Sequence, residues 1–186
     1  ISKIIIVTTE DRILDMQQIC DKYMISKLSD IVSGGNNRHE SVMNGIACLD
    51  SADTKVLIHD GARPLIENST ITAVVRALDN FDAALCVHKI NDTVKKVDKN
   101  GMVLSTVDRD MLWGAQTPQG VDVNKYKSAC EKIENAAEFT DDASVMEAAG
   151  YTVKAVIGSS KNIKITTPDD IIFAEGLLKG EDGLCE

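Results

Sequence analysis

Basic residues are scarce in this 186-residue chain, which carries 20 Lys and Arg against 29 Asp and Glu and has a formal net charge of −9. Nucleic acids and anionic membranes bind to basic surfaces, so the charge balance argues against both kinds of partner. An anionic small molecule is still compatible with it, provided that a few cations gather in one pocket. No apolar run approaches the roughly 18 residues that a membrane-spanning helix needs.

Cysteine pairs are absent as well, since the five cysteines are scattered and none belongs to a C-x-x-C pair. The sequence therefore indicates neither a zinc site nor a disulfide framework. Free cysteines are typical of a reducing compartment and no signal-peptide pattern is present, so we expect a cytoplasmic protein. The chain opens at Ile1 directly on the apolar segment KIIIVTT, and we expect that a segment upstream of it is missing.

What is present is an alternation of strand-like and helix-like segments. Four short runs are mostly apolar rather than alternating and are predicted as buried strands: Lys3–Thr9, Ile31–Ser33, Lys55–Ile58 and Ala83–His88. Amphipathic helical patterns lie between them. This order predicts one α/β domain over residues 1–186, a Rossmann-like three-layer arrangement whose mostly parallel sheet is covered by helices on both faces.

A hairpin interrupts the alternation at residues 92–107. The segments Asp92–Val97 and Met102–Val107 alternate or nearly alternate in polarity, and the Asn100-Gly101 pair between them is a strong hairpin signal. A hairpin inserted into such a domain is usually an arm, a lid or a dimer contact. The WGAQTPQG segment that follows is predicted as a loop, since its glycines and proline are typical of loops.

Polar side chains follow the third predicted strand, in the segment HDGARP. Ligands of parallel α/β sheets collect beyond the carboxyl ends of the strands, where helix N-termini and loop amides converge. At such a place Asp60 suits Mg²⁺, which prefers one or two carboxylates plus phosphate oxygens, and Arg63 suits a phosphate. The residues alone leave a second interpretation open, in which Asp60 and Arg63 form an ion pair that braces the turn and His59 is structural.

Three further segments place polar groups at predicted strand ends. The Gly34-Gly35 pair lets the backbone approach a ligand, although this segment read alone favours a tight turn capped by Ser41. In TVDRDMLWGAQTPQG the polar side chains lie close together and need a partner, which is either a ligand or the loop itself. Lys164 alternates with Ile163 and Ile165, so it faces either solvent or the ligand crevice.

Six segments, in order, resemble the motifs of the 2-C-methyl-D-erythritol 4-phosphate cytidylyltransferases of the non-mevalonate isoprenoid pathway. They are VLIHDGARP, GGNNRHESVMNGI, DTVKKV, TVDRDMLWGAQTPQ, FTDDASVMEAAG and NIKITTPDD. The resemblance runs from Ile1 to about Leu178 and implies a nucleotidyltransferase domain that moves CMP from CTP, with Mg²⁺, onto a polyol phosphate. Ribitol-5-phosphate cytidylyltransferases share most of these motifs, so the acceptor stays open between the two polyol phosphates.

The resemblance also implies roles for residues near the nucleotide. Gly35, Asn36 and Ser41 match positions that hold the cytosine and the ribose. Asp60 matches the carboxylate beside the metal and the nucleotide phosphates, and Arg63 matches a residue at the same end of the site.

Other residues match the acceptor side of the family's site. Thr93 and Arg109 match groups that hold the polyol phosphate, with Arg109 supplied by the partner subunit's hairpin arm in a homodimer. Thr117 lies in the matching loop, and Lys164 matches a lysine that orients the acceptor and stabilises charge. Lys164, Arg109 and Asp60 are therefore the predicted catalytic residues, because two polyanions must be brought together in line and no general base is needed.

The sequence departs from the family pattern in two places. It contains no glycine-rich loop with the arginine and lysine that clamp the triphosphate, and if that loop is truly absent the alternative is a non-catalytic nucleotide-binding member. Ser160 stands where some members carry an aspartate that assists the metal and the acceptor. The sequence assigns no role to Asp141 and Asp142.

Overall fold

The computed structural model describes residues 1–182, with side chains described through residue 179. The strands are β1 Ile4–Thr8, β2 Leu28–Ser33, β3 Lys55–Ile58, β4 Ala83–Lys89, β5 Lys95–Val97, β6 Val103–Thr106, β7 Trp113–Asp122 and β8 Val153–Ile157. The α-helices are α1 Ile13–Lys22, α2 Arg38–Ala47, α3 Asn68–Ala77, α4 Val123–Lys132, α5 Asp142–Ala148 and α6 Pro168–Asp182. Single 3₁₀ turns lie at Glu10–Arg12 and Ala136–Glu138. Within this described part of the chain, no helix is both long enough and apolar enough to cross a bilayer.

The chain divides into two compact units. The first unit contains Ile1–Val56 and Asp122–Tyr151, and the second contains Leu57–Val121 and the chain from Thr152 onward. The α/β class predicted from the sequence is confirmed, since strands and helices alternate through most of the chain.

In the first unit, β1 and β2 form a parallel pair, with Ile6 opposite Ile31 and Val7 opposite Val32. Helix α2 packs on both strands and α1 packs on β2. A glycine allows the close approach of α2 to β1, because a Cβ added at Gly45 would lie 3.0 Å from the Val7 Cγ2 atom. The β-branched residues of the two strands suit this pleated, half-buried surface.

In the second unit the sheet order is β3-β7-β4-β8. β4 pairs in parallel with β8 and antiparallel with β7, so the mostly parallel arrangement includes one reversed strand. Helix α3 covers β4 and β8. The core beneath it consists of the buried side chains Val74, Leu78, Ala84 and Cys86. Each buried Val or Leu side chain contributes about 1.5–3 kcal/mol to stability.

The prediction that WGAQTPQG forms a loop is wrong, because this segment makes up most of β7 and is buried from Gln116 to Val121. Proline is rare in central strands since it lacks an N–H group to donate. Here the β4–β7 ladder shifts register between Leu85 and Val87, and Pro118 lies at this irregularity, where a missing donor is tolerated.

The hairpin at residues 92–107 is shorter than predicted. The regular strands are Lys95–Val97 and Val103–Thr106, which pair antiparallel, and the side chains of both strands are exposed. The turn is organised by Asp98, whose Oδ1 accepts the N–H groups of Asn100 and Met102, each at 2.9 Å. Gly101 has a φ of +82°, a conformation that favours glycine. The function of the hairpin as a dimerisation arm stays a prediction.

Candidate active site

A charge cluster of Asp60, Arg63 and Lys164 lies just beyond the end of β3 in the second unit. The Asp60 Oδ2 atom is 3.4 Å from Arg63 Nε and 3.2 Å from Lys164 Nζ. The turn is closed by the Arg63 N–H group, which donates to the Asp60 carbonyl at 2.9 Å. Three side chains predicted as site residues therefore meet, with two cations on one carboxylate and a local excess of positive charge.

The two cations of the charge cluster differ in exposure. The Arg63 side chain is 12% exposed and donates from Nη1 to the Asn162 carbonyl at 2.8 Å, so it is held in place. The Lys164 side chain is 48% exposed. Its segment is tied to the turn because the Ile165 N–H group donates to the Ala62 carbonyl at 2.8 Å. Lys164 is thus the cation of the cluster that an incoming anion reaches more easily.

Thr117 supports the carboxylate of the charge cluster from β7. Its Oγ1 accepts the Asp60 N–H group at 3.0 Å and lies 3.0 Å from the His59 Nδ1 atom. The His59 Nε2 atom lies 3.1 Å from the Arg63 carbonyl, which can only accept, so Nε2 carries the proton. In a neutral imidazole Nδ1 then accepts from the Thr117 hydroxyl. Both Thr117 and His59 hold the turn in this structure, which agrees with the structural interpretation of His59.

Beneath the cluster lies a buried polar group that the sequence did not single out. Asn162 donates from Nδ2 to the Thr117 carbonyl at 2.8 Å and to Gln116 Oε1 at 3.3 Å. Gln116 returns a bond from Nε2 to the Asn162 carbonyl at 3.1 Å. The Cys86 thiol donates to Gln116 Oε1 at 3.4 Å, and burial raises the pKa of that thiol. The polar residues Gln116 and Thr117 therefore find their partners within the protein, and the Asn162 Oδ1 atom is left without one in the part of the chain that the structure describes.

Thr93 and Arg109 lie at the base of the hairpin. The two sides of the base are joined where the Val107 N–H group donates to the Val94 carbonyl at 2.9 Å. Both predicted side chains are exposed, and the Arg109 guanidinium donates to the Asn91 carbonyl. The base of the hairpin therefore exposes a hydroxyl and a guanidinium, and their role in binding the acceptor stays a prediction.

The Gly34–Ser41 loop of the first unit connects β2 to α2 and is closed by its own hydrogen bonds. Ser41 Oγ accepts the Gly35 N–H group at 3.0 Å and donates to the Asn37 carbonyl at 2.9 Å. The Gly34 N–H group donates to the Thr8 carbonyl at 2.7 Å. The Ser41 hydroxyl thus shapes a tight turn, as the sequence suggested, although the residue that caps the helix is Asn37 and not Ser41.

Glu40 fixes the other side of the same loop. Its Oε2 accepts from the Asn36 N–H group at 2.8 Å and from Asn36 Nδ2 at 3.0 Å. Asn37 caps α2 by accepting the Glu40 N–H group at 2.8 Å. A Cβ added at Gly35 would lie 2.2 Å from the Glu40 Cβ atom, so only glycine fits here. Gly35 and Asn36 are presented on a rigid backbone.

A partly buried ion pair anchors the helix that follows this loop. Arg38, the first residue of α2, bonds from Nη2 to Asp142 Oδ2 at 2.6 Å, and the Asp142 side chain is 1% exposed. Tyr126 donates its hydroxyl to Asp142 Oδ1 at 2.8 Å. Burial, and next the Asp142 carboxylate, raise the pKa of the Tyr126 phenol. Asp141 caps α5 by accepting the Ser144 N–H group at 2.9 Å, so both aspartates have structural roles.

The protein ligands available in the charge cluster limit which metal ion it could bind. Among residues 1–182 there is no group of three or more His, Cys, Asp or Glu side chains arranged to hold a metal. Asp60 is the one carboxylate of the cluster, and Ser160 offers none. This set fits Mg²⁺ that receives its other ligands from phosphate oxygens and water, because Mg²⁺ keeps several waters and needs only one or two carboxylates.

Comparison with known proteins decides the family. The family model described as IspD, 2-C-methyl-D-erythritol 4-phosphate cytidylyltransferase, matches residues 1–180. The chain belongs to this family. The cytidylyltransferase of that name from Halalkalibacterium halodurans is 43% identical over 178 residues, 95% of this chain and 77% of the relative. The one from Clostridium acetobutylicum is 42% identical over 184 residues, 96% of this chain and 79% of the relative.

Solved structures of the family have the same fold. The crystal structure of 4-diphosphocytidyl-2C-methyl-D-erythritol synthase from Anaerococcus prevotii has a TM-score of 0.86 at 36% identity, covering 96% of this chain and 79% of that one. The Francisella tularensis 2-C-methyl-D-erythritol 4-phosphate cytidylyltransferase has a TM-score of 0.76 at 31% identity, covering 94% and 79%. The predicted family and the predicted Rossmann-like nucleotidyltransferase fold are confirmed, while the roles of individual IspD site residues stay predictions.

Proposed function

We propose that this protein transfers CMP from CTP to 2-C-methyl-D-erythritol 4-phosphate and releases pyrophosphate. The observation that carries the proposal is the charge cluster, in which the exposed Lys164 lies 3.2 Å from Asp60 at a strand end of an IspD-family chain. Such a cluster attracts a substrate that brings several phosphate charges, and the acidic remainder of the surface does not compete for it.

The proposed reaction requires cations rather than a general base. The phosphate oxygen of the acceptor is already anionic at neutral pH, attacks the α-phosphorus of CTP and forms the new P–O bond. The α–β bond breaks, and its bridging oxygen leaves with pyrophosphate. Both substrates are polyanions, so the barrier lies in bringing them into line and in stabilising the charge that develops.

The second unit supplies the charged groups in this proposal. Lys164 leaves its contact with Asp60 for phosphate oxygens, orients the acceptor and stabilises charge in the transition state. Arg63 keeps the turn in place and adds positive charge. Thr117 acts through Asp60, whose N–H group it holds at 3.0 Å.

Mg²⁺ is the proposed cofactor, with Asp60 as its protein ligand. When bound it neutralises charge on the triphosphate, which is the usual contribution of the metal in phosphoryl transfer. The contacts of Lys164 and Arg63 with Asp60 orient that carboxylate at the proposed metal position.

The first unit supplies neutral groups for the nucleoside. Gly35 and Asn36 offer backbone and amide groups to the cytosine and ribose, and Ser41 maintains the shape of the loop that carries them. A rigid loop of this kind recognises a base by hydrogen bonds without adding charge.

The hairpin is the proposed dimerisation arm, and Thr93 and Arg109 at its base are proposed to hold the acceptor phosphate across a homodimer. Exposed apolar side chains on the hairpin support this role, namely Val97, Met102, Val103 and Leu104. Arg109→Ala is expected to raise KM for the polyol phosphate more than KM for CTP. Equal increases would contradict the assignment. The reaction is proposed to take place in the cytoplasm, which the free cysteines Cys20, Cys48, Cys86 and Cys130 suit.

The proposal is tested by incubating the protein with CTP, Mg²⁺ and one polyol phosphate at a time, with pyrophosphate release and the CDP-polyol product as the readouts. Methylerythritol phosphate is expected to give product, with ribitol 5-phosphate far less effective. Pyrophosphate release with ribitol 5-phosphate and none with methylerythritol phosphate would overturn the assignment.

A further inference from the structure

Asn162 occupies an unusual position for a polar residue. It is 1% exposed and lies two residues before Lys164. Its side-chain amide binds the Thr117 carbonyl at 2.8 Å, while its own carbonyl accepts from Arg63 at 2.8 Å. One buried residue therefore connects β7, the guanidinium of the charge cluster and the segment that carries the lysine.

The same residue carries a stability cost. Its Oδ1 atom is buried and has no hydrogen-bond partner among the described residues. A buried acceptor without a partner destabilises a fold, and native structures contain few of them. Stability alone therefore does not explain an asparagine here, whereas a requirement for its donor does.

We infer that Asn162 is a positioning residue for the transfer reaction, fixing Lys164 and Arg63 around Asp60. Its Nδ2–H groups hold residue 162 against β7, which sets the carbonyl that receives Arg63 and the start of the extended segment that delivers Lys164. The segment is held a second time at Ile165, whose N–H group donates to Ala62 at 2.8 Å. This inference rests on the proposed function.

A positioning role and a merely structural role for Asn162 predict different kinetics. If Asn162 acts through Lys164, its removal lowers kcat only while Lys164 is present. If it only supports the fold, its removal lowers activity by the same factor with or without Lys164. A displacement of about 1 Å at a reacting group costs on the order of 100-fold in rate, so the two cases are well separated.

The test compares wild type, Asn162→Leu, Lys164→Ala and the double variant in the pyrophosphate-release assay, with unfolding temperature measured for each. Asn162→Leu is expected to lower kcat by about 30-fold or more in the wild-type background. In the Lys164→Ala background it is expected to lower kcat by less than about 3-fold, since residues that act together are not additive. Asn80→Leu, on an exposed turn of the same unit, is the matched control and should leave kcat unchanged.

A second readout needs no activity. Hydrogen exchange at the Ile165 amide is expected to accelerate in Asn162→Leu, while exchange in the β4–β8 ladder is unchanged. If Asn162→Leu does not fold, Asn162→Ala takes its place in the same scheme, because it removes the side-chain donor without adding bulk to the buried site.

Equal losses of kcat in both backgrounds, or unchanged exchange at Ile165, would overturn the inference and leave the proposed function intact. Failure of both Asn162 variants to fold would make the role structural and also overturn it. A wild-type protein that forms no CDP-polyol would overturn the proposed function, and the inference with it.

Discussion

The Gly34–Ser41 loop of the first unit and the charge cluster of the second unit hold their groups in different ways. In the loop, the Ser41 hydroxyl and the Glu40 carboxylate accept hydrogen bonds from neighbouring backbone and amide groups, all within eight residues of the chain. In the charge cluster, Asp60 receives a cation from more than 100 residues away, Lys164. The loop is thus fixed locally, and the cluster depends on tertiary structure.

This difference suggests that the loop and the charge cluster have different roles in the proposed reaction. A loop closed by local hydrogen bonds suits the proposed discrimination of a base through the backbone and amide groups of Gly35 and Asn36. Ion pairs that a phosphate or a metal can replace suit binding and stabilisation of charge. Changes in the loop should therefore act on nucleotide binding, and changes in the cluster should act on turnover.

Lys164→Ala should give the largest effect of all, a fall in kcat of about 100- to 1000-fold, the usual cost of one preorganised electrostatic contact. KM for CTP should change far less, because the lysine acts mainly in the transition state. Steady-state pyrophosphate release measures both quantities. Lys179→Ala, an exposed lysine paired with Glu175 on α6, is the matched control. A fall of less than twofold would remove Lys164 from the proposed mechanism.

Gly35→Ala tests the loop side of the comparison. The new Cβ would lie 2.2 Å from Glu40 Cβ, so the loop must shift. We expect KM for CTP to rise about tenfold, equivalent to about 1.4 kcal/mol of binding, with a smaller effect on kcat. Isothermal titration with CTP provides the direct measurement. Gly176→Ala on α6, where nothing lies within 4 Å of the added Cβ, should leave CTP binding unchanged. Unaltered binding in Gly35→Ala would show that the loop does not contact the nucleotide.

Asp60 and Arg63 were predicted as site residues because they follow an apolar strand-like run, and ligands of an α/β sheet collect beyond the strand ends. The residues alone left Lys164 facing either solvent or the ligand crevice, and its place in the site came from the resemblance to the family.

The long-range contacts behind the loop and beneath the charge cluster could not be predicted from the sequence. Arg38 and Asp142 are 104 residues apart, and nothing in either neighbourhood indicates the other. The burial of Gln116 was hidden because glycine and proline around it are typical of loops, whereas tertiary packing places the segment in a sheet. Asn162 looked like an ordinary polar residue, since only its partners Gln116 and Thr117 reveal its position.

Asp142→Asn tests the anchor behind the loop. The substitution keeps an oxygen for the Tyr126 hydroxyl but removes the charge that binds Arg38. We expect a loss of about 1–3 kcal/mol in the free energy of unfolding, because a buried charge-assisted bond is broken. Urea denaturation measures it. Asp15→Asn, which breaks an exposed ion pair with Arg12, should cost less than about 1 kcal/mol. Equal losses in both variants would contradict the importance assigned to the pair between Arg38 and the buried Asp142 carboxylate.

Tyr126→Phe is expected to have the smallest effect on the free energy of unfolding, and only at alkaline pH. Burial and the Asp142 carboxylate raise the pKa of the Tyr126 phenol in the folded state above the ordinary value of about 10. The stabilising contribution is therefore complete below about pH 10 and is lost as the pH rises further, because the unfolded state then releases a proton that the folded state keeps. One such proton corresponds to about 1.4 kcal/mol of unfolding free energy per pH unit. Tyr126→Phe should lack this part of the alkaline slope, whereas Tyr23→Phe, at a tyrosine that is 62% exposed, should retain it. Denaturation curves between pH 9 and 11 compare the slopes, and identical slopes in all three proteins would show that Tyr126 titrates alike in both states.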